Sequence, residues 1–165
     1  VIGLARGVFA PDLPASRPEI AALCDALLDA LDLDGRDFDL TLADDAAIAA
    51  LNKEFLGLTG PTNILSFPAE DPERPDYLGE LALSLDAVRR EAFLYGQPPG
   101  LHMARLLAHG FLHLAGLDHG PLMESLTESA AEAAALRLGL EYKKSKMPPA
   151  AGGLRPPDPP YEEMG

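Results

Sequence analysis

The sequence predicts an α+β domain in which a small mixed β-sheet is covered by helices, and three observations predict it. Segments with the helical period of apolar residues alternate along the chain with short runs of strand-like alternation. The connections between them are only a few residues long, which favours neighbouring elements packed in layers around one core. A chain of 165 residues is one domain's worth. The pattern leaves strand order open.

Taken in order, Val1 to Leu4 reads as a weak first strand. Ser16-Arg17-Pro18-Glu19 has the form of a capping box, with Ser16 as N-cap and Glu19 reaching back to its amide. Ile20, Leu23, Cys24, Leu27, Leu28 and Leu31 follow on one apolar helix face, so Cys24 is expected in the core rather than as a reactive thiol. Asp34-Gly35 marks a turn, and Phe38, Leu40 and Leu42 alternate with Asp39 and Thr41 as in a half-buried strand. Asp44 can cap the next helix, with Ile48, Leu51 and Phe55 as its inward stripe, and Gly57 and Gly60-Pro61 end it. Asn63 to Phe67 is a β-prone run stopped by Pro68, and Glu70 to Asp76 is an acidic loop without regular structure. Leu78 to Leu83 reads as a strand. Ser84 then caps a helix that turns Leu85, Val88, Ala92 and Tyr95 inward, stopped by Gly96 and Pro98. Two more helices are expected, Pro99 to Ala115 and Met123 to Leu138, the latter closed by Gly139. From Lys143 the composition changes, with six prolines between Pro148 and Pro160. Residues 1–142 are therefore read as the domain and 143–165 as a disordered, Pro-rich tail.

Composition narrows the function classes. With 26 acidic and 13 basic side chains the net charge is −13, which repels a phosphate backbone at long range and argues against nonspecific nucleic-acid binding. A local positive site, such as a bound metal ion, is compatible with it. No run is long enough to span a membrane, and no signal peptide is evident. Cys24 is the only cysteine, so no disulfide-linked partner is expected and a reducing cytoplasm is the expected compartment.

Three of the four histidines fall between His109 and His119. On a helix His109 and His113 stand at i and i+4 on one face, so both imidazoles can reach one ion. Gly116 marks the helix end, where a left-handed residue can reverse the chain and return His119 to the same ion. Three imidazoles leave a fourth position for water, the arrangement of catalytic rather than structural zinc. His102 lies near the same face, but about 10 Å away along the axis at about 1.5 Å per residue, too far to share that ion. Asp118, beside His119, either orients a ligand imidazole as a supporting carboxylate or satisfies the amides of the turn.

The spacing resembles the metzincin pattern H-E-x-x-H-x-x-G-x-x-H, except that Gly110 stands where those proteases carry their general base. The stretch His109-Gly110-Phe111-Leu112-His113-Leu114-Ala115-Gly116-Leu117-Asp118-His119 more closely resembles the YbeY signature H-G-x-L-H-L-x-G-x-D-H, with every fixed position present. Pro61-Thr62-Asn63-Ile64-Leu65-Ser66-Phe67-Pro68 and Leu78-Gly79-Glu80-Leu81 look like two further segments of that family, and the resemblance spans roughly residues 1 to 140. It implies an α+β fold with a zincin-like metal helix beside a short sheet. It also implies a single-strand-specific, zinc-dependent endoribonuclease of 16S rRNA 3′-end maturation and ribosome quality control, with ribosomal RNA and the small subunit as partners. Such a site suits phosphodiester hydrolysis, because Zn²⁺ both activates water and polarises a phosphoryl oxygen.

One departure bears on activity. The family usually reads Arg-x-x-Asp-x-Pro before this Thr-Asn, where Leu56 and Thr59 stand here, and loss of a donor at a developing charge costs about 3 kcal/mol. Lys53, one helical turn earlier, is the candidate substitute as a point charge. Thr62, Asn63 and Ser66 are candidate substrate donors or, equally, caps of the strand ends. Glu80 matches an acidic family position but reads first as a solvated strand carboxylate. A catalytically weak ribosome-assembly factor that keeps the metal site is the alternative, and a metallopeptidase the third.

Overall fold

In the computed structural model the described residues are the backbone of 2–4 and all of 12–140; the tail assignment from Lys143 onward therefore lies outside them. The capping box at Ser16 is present, with Glu19 Oε1 accepting from the Ser16 amide and Ser16 Oγ from the Glu19 amide. It starts α1 (Arg17–Ala30), whose Ile20, Leu23, Cys24, Leu27 and Leu28 are buried. The chain then forms β2 (Asp37–Ala43), α2 (Asp45–Leu56) capped by Asp44, β3 (Ile64–Pro68) and β4 (Tyr77–Ser84). Ile2–Leu4 is β1, and α3 (Leu85–Leu94), α4 (Pro99–Leu114) and α5 (Pro121–Leu138) complete the elements. Glu70 to Asp76 carries no helix or strand, as expected.

The sheet has the order β1-β2-β4-β3. β2 runs parallel to both of its neighbours, and β3 pairs antiparallel with β4 as an edge strand. The mixed sheet expected from the sequence is thus present, and α1, α4 and α5 cover one face. Leu40, Leu42, Ile64, Leu81 and Leu83 point from that face into the main core. The alternate side chains Ala43, Leu65 and Ala82 meet Ile48 of α2 on the opposite face.

Boundaries shift by one or two residues for local reasons. Asn63 is not the first residue of β3, because its Oδ1 accepts the Ile64 amide at 2.7 Å and so caps the strand from outside. Helix α5 starts at Pro121 rather than Met123, proline at a first helical position having no amide to satisfy. A larger correction concerns Phe55, expected inward and found 59% exposed. Helix α2 covers only part of its sheet face, and beyond Leu51 a groove lined by Asp39, Thr41, Phe67 and Glu80 lies open, so Phe55 leans on Phe67 at 5.5 Å instead.

Helix α4 is buried on nearly all sides, as a helix inserted between a sheet and other helices must be. Its Phe111 ring meets Phe38 edge-on at 4.9 Å. Gly110 brings the helix against the sheet: a Cβ there would stand 2.8 Å from both Ile64 Cδ1 and Leu81 Cδ2. Across the β3–β4 pair, Gly79 has φ +135° and a Cβ on it would run into the Phe67 carbonyl and the Ala69 amide. These two glycines set how closely β3, β4 and the histidine-bearing helix approach.

Candidate metal centre

His109 and His113 occupy successive turns of α4, and the helix ends just after them. Ala115 is the C-cap, Gly116 follows at φ +93°, the Gly116 amide donates to the His113 carbonyl at 3.0 Å and the Leu117 amide to the Leu112 carbonyl at 3.0 Å. This paired closure reverses the chain at a residue where glycine carries no steric penalty. It returns His119 to the helix. The three rings then face one another, with centroids 4.7 Å apart for His109 and His113, 5.1 Å for His109 and His119, and 4.6 Å for His113 and His119.

One nitrogen from each ring lies within 4.8 Å of the others, and the Nε2 atoms of His113 and His119 are 3.1 Å apart. Zn–N bonds of about 2.0–2.1 Å in tetrahedral geometry separate ligand nitrogens by about 3.3 Å. The set therefore fits one ion with small ring adjustments. Its chemistry fits as well, since imidazoles ligate as neutral bases. Burial, and then the neighbouring His113 and His119, push the His109 ring down to about 3, so at neutral pH it is the neutral imidazole, with one ring nitrogen free to ligate. His109 is buried, whereas His113 and His119 reach solvent, which leaves the cluster approachable from one side.

His102 is absent from this cluster, as its spacing required. It is wholly buried, its Nε2 is 2.9 Å from Glu91 Oε1, and its Nδ1 faces Arg105 Nη1 at 3.2 Å. Arg105 continues to Glu128 and Gln97, and Glu91 also accepts from Asn63 Nδ2. This buried polar chain joins α3, α4 and α5 to the start of β3. Sequence reading missed it, although Glu91 on the otherwise apolar inward face of α3 was a visible signal.

The remaining candidates are dispersed. Asp118 is exposed and makes no hydrogen bond to a described residue, while the turn amides go to helix carbonyls. The Asn63 side chain is committed to the Ile64 amide and Glu91. Thr62 and Ser66 are buried, the Ser66 hydroxyl without a hydrogen-bond partner among the described residues. Lys53 is exposed on α2, across the sheet from α4, and Leu56 at the end of that helix packs half-buried against the second core cluster. Glu80 is exposed on the open face.

Comparison with known proteins bears on the same residues. The family model described as endoribonuclease YbeY matches residues 14–136. The endoribonuclease YbeY of Oleidesulfovibrio alaskensis is 48% identical over 142 residues, covering 73% of this chain and 84% of the relative. That of Nitratidesulfovibrio vulgaris is 48% identical over 141 residues, covering 74% and 86%. The solution structure of a Thermotoga maritima protein superposes with a TM-score of 0.62 at 22% identity, covering 84% of this chain and 92% of that one, a likeness of fold. Among the described residues no helix is long and apolar enough to cross a membrane. Because the matched region encloses the three histidines and the β3–β4 pair against which their helix packs, the chain belongs to the endoribonuclease YbeY family.

Proposed function

We propose that the chain is a metal-dependent endoribonuclease acting on ribosomal RNA precursors, with His109, His113 and His119 holding one Zn²⁺. The observation that carries this reading is the convergence of three imidazoles, one helix turn apart and one chain reversal apart, on a point open to solvent on one side. When bound, the ion supplies a Lewis acid for a phosphoryl oxygen and lowers the pKa of water beside it. His109 anchors the set from the buried side, its lone pair kept available by desolvation. His113 and His119 frame the open side, and the Gly116 reversal fixes where His119 sits. None of the clustered residues is a nucleophile of the Ser or Cys kind, so the attacking oxygen comes from water or an RNA 2′-hydroxyl.

The names of the curated relatives support the endoribonuclease activity, and the family resemblance supports 16S rRNA 3′-end processing, the small ribosomal subunit as partner and a cytoplasmic setting. The activity is assigned to residues 1–142. A peptidase is disfavoured because Gly110 backs onto Ile64 and Leu81, where a carboxylate has no room and no partner. The assembly-factor reading draws on Leu56, an apolar packing residue where the family carries a guanidinium. Incubating the metal-loaded protein and its His113→Ala variant with structured and single-stranded RNA, and with a peptide mixture, tests the proposal. Metal-dependent RNA cleavage lost in His113→Ala supports it; RNA binding without cleavage, metal in place, supports the assembly factor.

A further inference from the structure

The first turns of α1 and the end of α5 enclose a groove of about 290 Å³, walled by Pro14, Pro18, Ala22 and Leu23 on the α1 side and by Leu138 and Leu140 on the α5 side. Among the described residues Glu19 is the one charged group that lines it. Pro18 and Ala22 are exposed, so this stretch of α1 presents carbon to its surroundings, and an apolar segment laid over it would be stabilised by the area it removes from water. The chain itself leaves the domain from this groove. Leu140 is buried and closes on the first turn of α4, where a Cβ on Gly100 would stand 3.0 Å from the Leu140 Cβ. Glu141-Tyr142-Lys143-Lys144-Ser145-Lys146-Met147-Pro148-Pro149-Ala150 follows in the sequence, outside the described residues.

We propose that this groove is the seat of the chain's own segment Met147-Pro148-Pro149, folded back beside Leu140 as a clasp between α1 and α5. From Leu140 to Met147 the chain extends at most about 25 Å, enough to turn through the lysines and re-enter a groove that Leu140 itself lines. Methionine is unbranched and fills irregular apolar gaps, and prolines have little conformational freedom to lose on docking. Lys143, Lys144 and Lys146 make the turn basic in a protein of net charge −13, and the fold-back carries Lys146 to the rim that Glu19 marks. A short tether holds the segment at an effective concentration of about a millimolar, so an intrinsic affinity of only about 0.1 mM keeps it seated about nine-tenths of the time. The clasp stands apart from the histidines: α5 starts two residues after His119 and runs 18 residues, about 27 Å, to Leu138, so the proposal does not rest on the nuclease reading.

The test is thiol labelling of the full-length protein, read site by site by mass spectrometry. An Ala150→Cys variant reports on the seated segment and a Met164→Cys variant on residues beyond it, while the buried Cys24 reports in both on whether the domain stays folded. Under native conditions the Ala150→Cys thiol should label about tenfold more slowly than the Met164→Cys thiol, and in denaturant equally fast. Adding Met147→Asp, which leaves the domain untouched, or Ala22→Arg, which fills the groove, should each abolish the difference. Equal native rates would overturn the proposal, as would protection that survives Ala22→Arg in protein that circular dichroism shows to be folded. Protection that grows with protein concentration would give the groove to a second copy of the chain. A protected Phe9→Cys thiol beside a freely labelled Ala150→Cys thiol would give it to the N-terminal segment, and either result overturns the proposal.

Discussion

His102 Nε2 lies 2.9 Å from Glu91 Oε1, and the opposite ring nitrogen faces Arg105. A guanidinium only donates, so Nδ1 accepts and Nε2–H is the donor to Glu91. The histidine nearest the proposed ligands in sequence is thus occupied in holding a buried carboxylate. Substituting His102→Ala leaves Glu91 without that partner and should cost about 3–5 kcal/mol of stability, while metal content per folded chain stays at the wild-type level. Thermal melts paired with elemental analysis check this. Loss of metal from a folded His102→Ala protein would place His102 among the ligands after all.

The two close-approach glycines should respond very differently. At Gly110 the obstacles are the ends of two flexible side chains, and alanine's helix preference of about 1 kcal/mol offsets the crowding, so Gly110→Ala should melt near wild type. At Gly79 the obstacles are backbone atoms and φ is positive, so Gly79→Ala should lose several kcal/mol or fail to fold. Circular dichroism melts of the pair decide it; near-equal stabilities would contradict the described β3–β4 geometry.

Acid stability should depend on Asp45. Its carboxyl is held below the usual carboxylate range by Arg90, whose Nη1 is 2.9 Å away, with Ser84 Oγ assisting at 3.0 Å. The unfolded carboxyl takes up a proton near pH 3.9, above the folded one, so the unfolded state binds more protons as pH falls. The contribution is therefore present in full above about pH 5 and lost on descending through the lowered folded value. Asp45→Asn should melt below wild type at pH 6, and the gap should shrink by pH 3. A gap that stays constant would remove Asp45 from the acid limb.

Burial pushes the Cys24 thiol up to about 12, which leaves almost no thiolate at neutral pH. A thiol reagent should leave the native protein unlabelled over minutes and label it fully in denaturant. Rapid native labelling would mean that α1 opens far more readily than its packing implies.

What was legible in the sequence was what short-range chemistry decides. The Ser16–Glu19 box, the Asp44 cap and the Gly116 reversal each depend on residues a few positions apart, and each is present. The inward stripe of α1 was legible for the same reason. Strand order was not, because β4 pairs with β2, as Leu81 with Leu40, across a stretch of chain that holds α2 and β3. The exposure of Phe55 depends on how far α2 extends over the sheet, which no helical period reveals. For the site, the i, i+4 pair and the glycine were enough to bring three histidines together. The commitment of Asn63 to Glu91 was hidden, since their contact spans 28 residues.

The central claim is that one ion sits among His109, His113 and His119. Elemental analysis of purified wild-type and His109→Ala proteins tests it most directly. About one zinc per wild-type chain is expected, and near none in a His109→Ala variant whose circular dichroism confirms folding. Equal metal content in the two folded proteins would contradict the account.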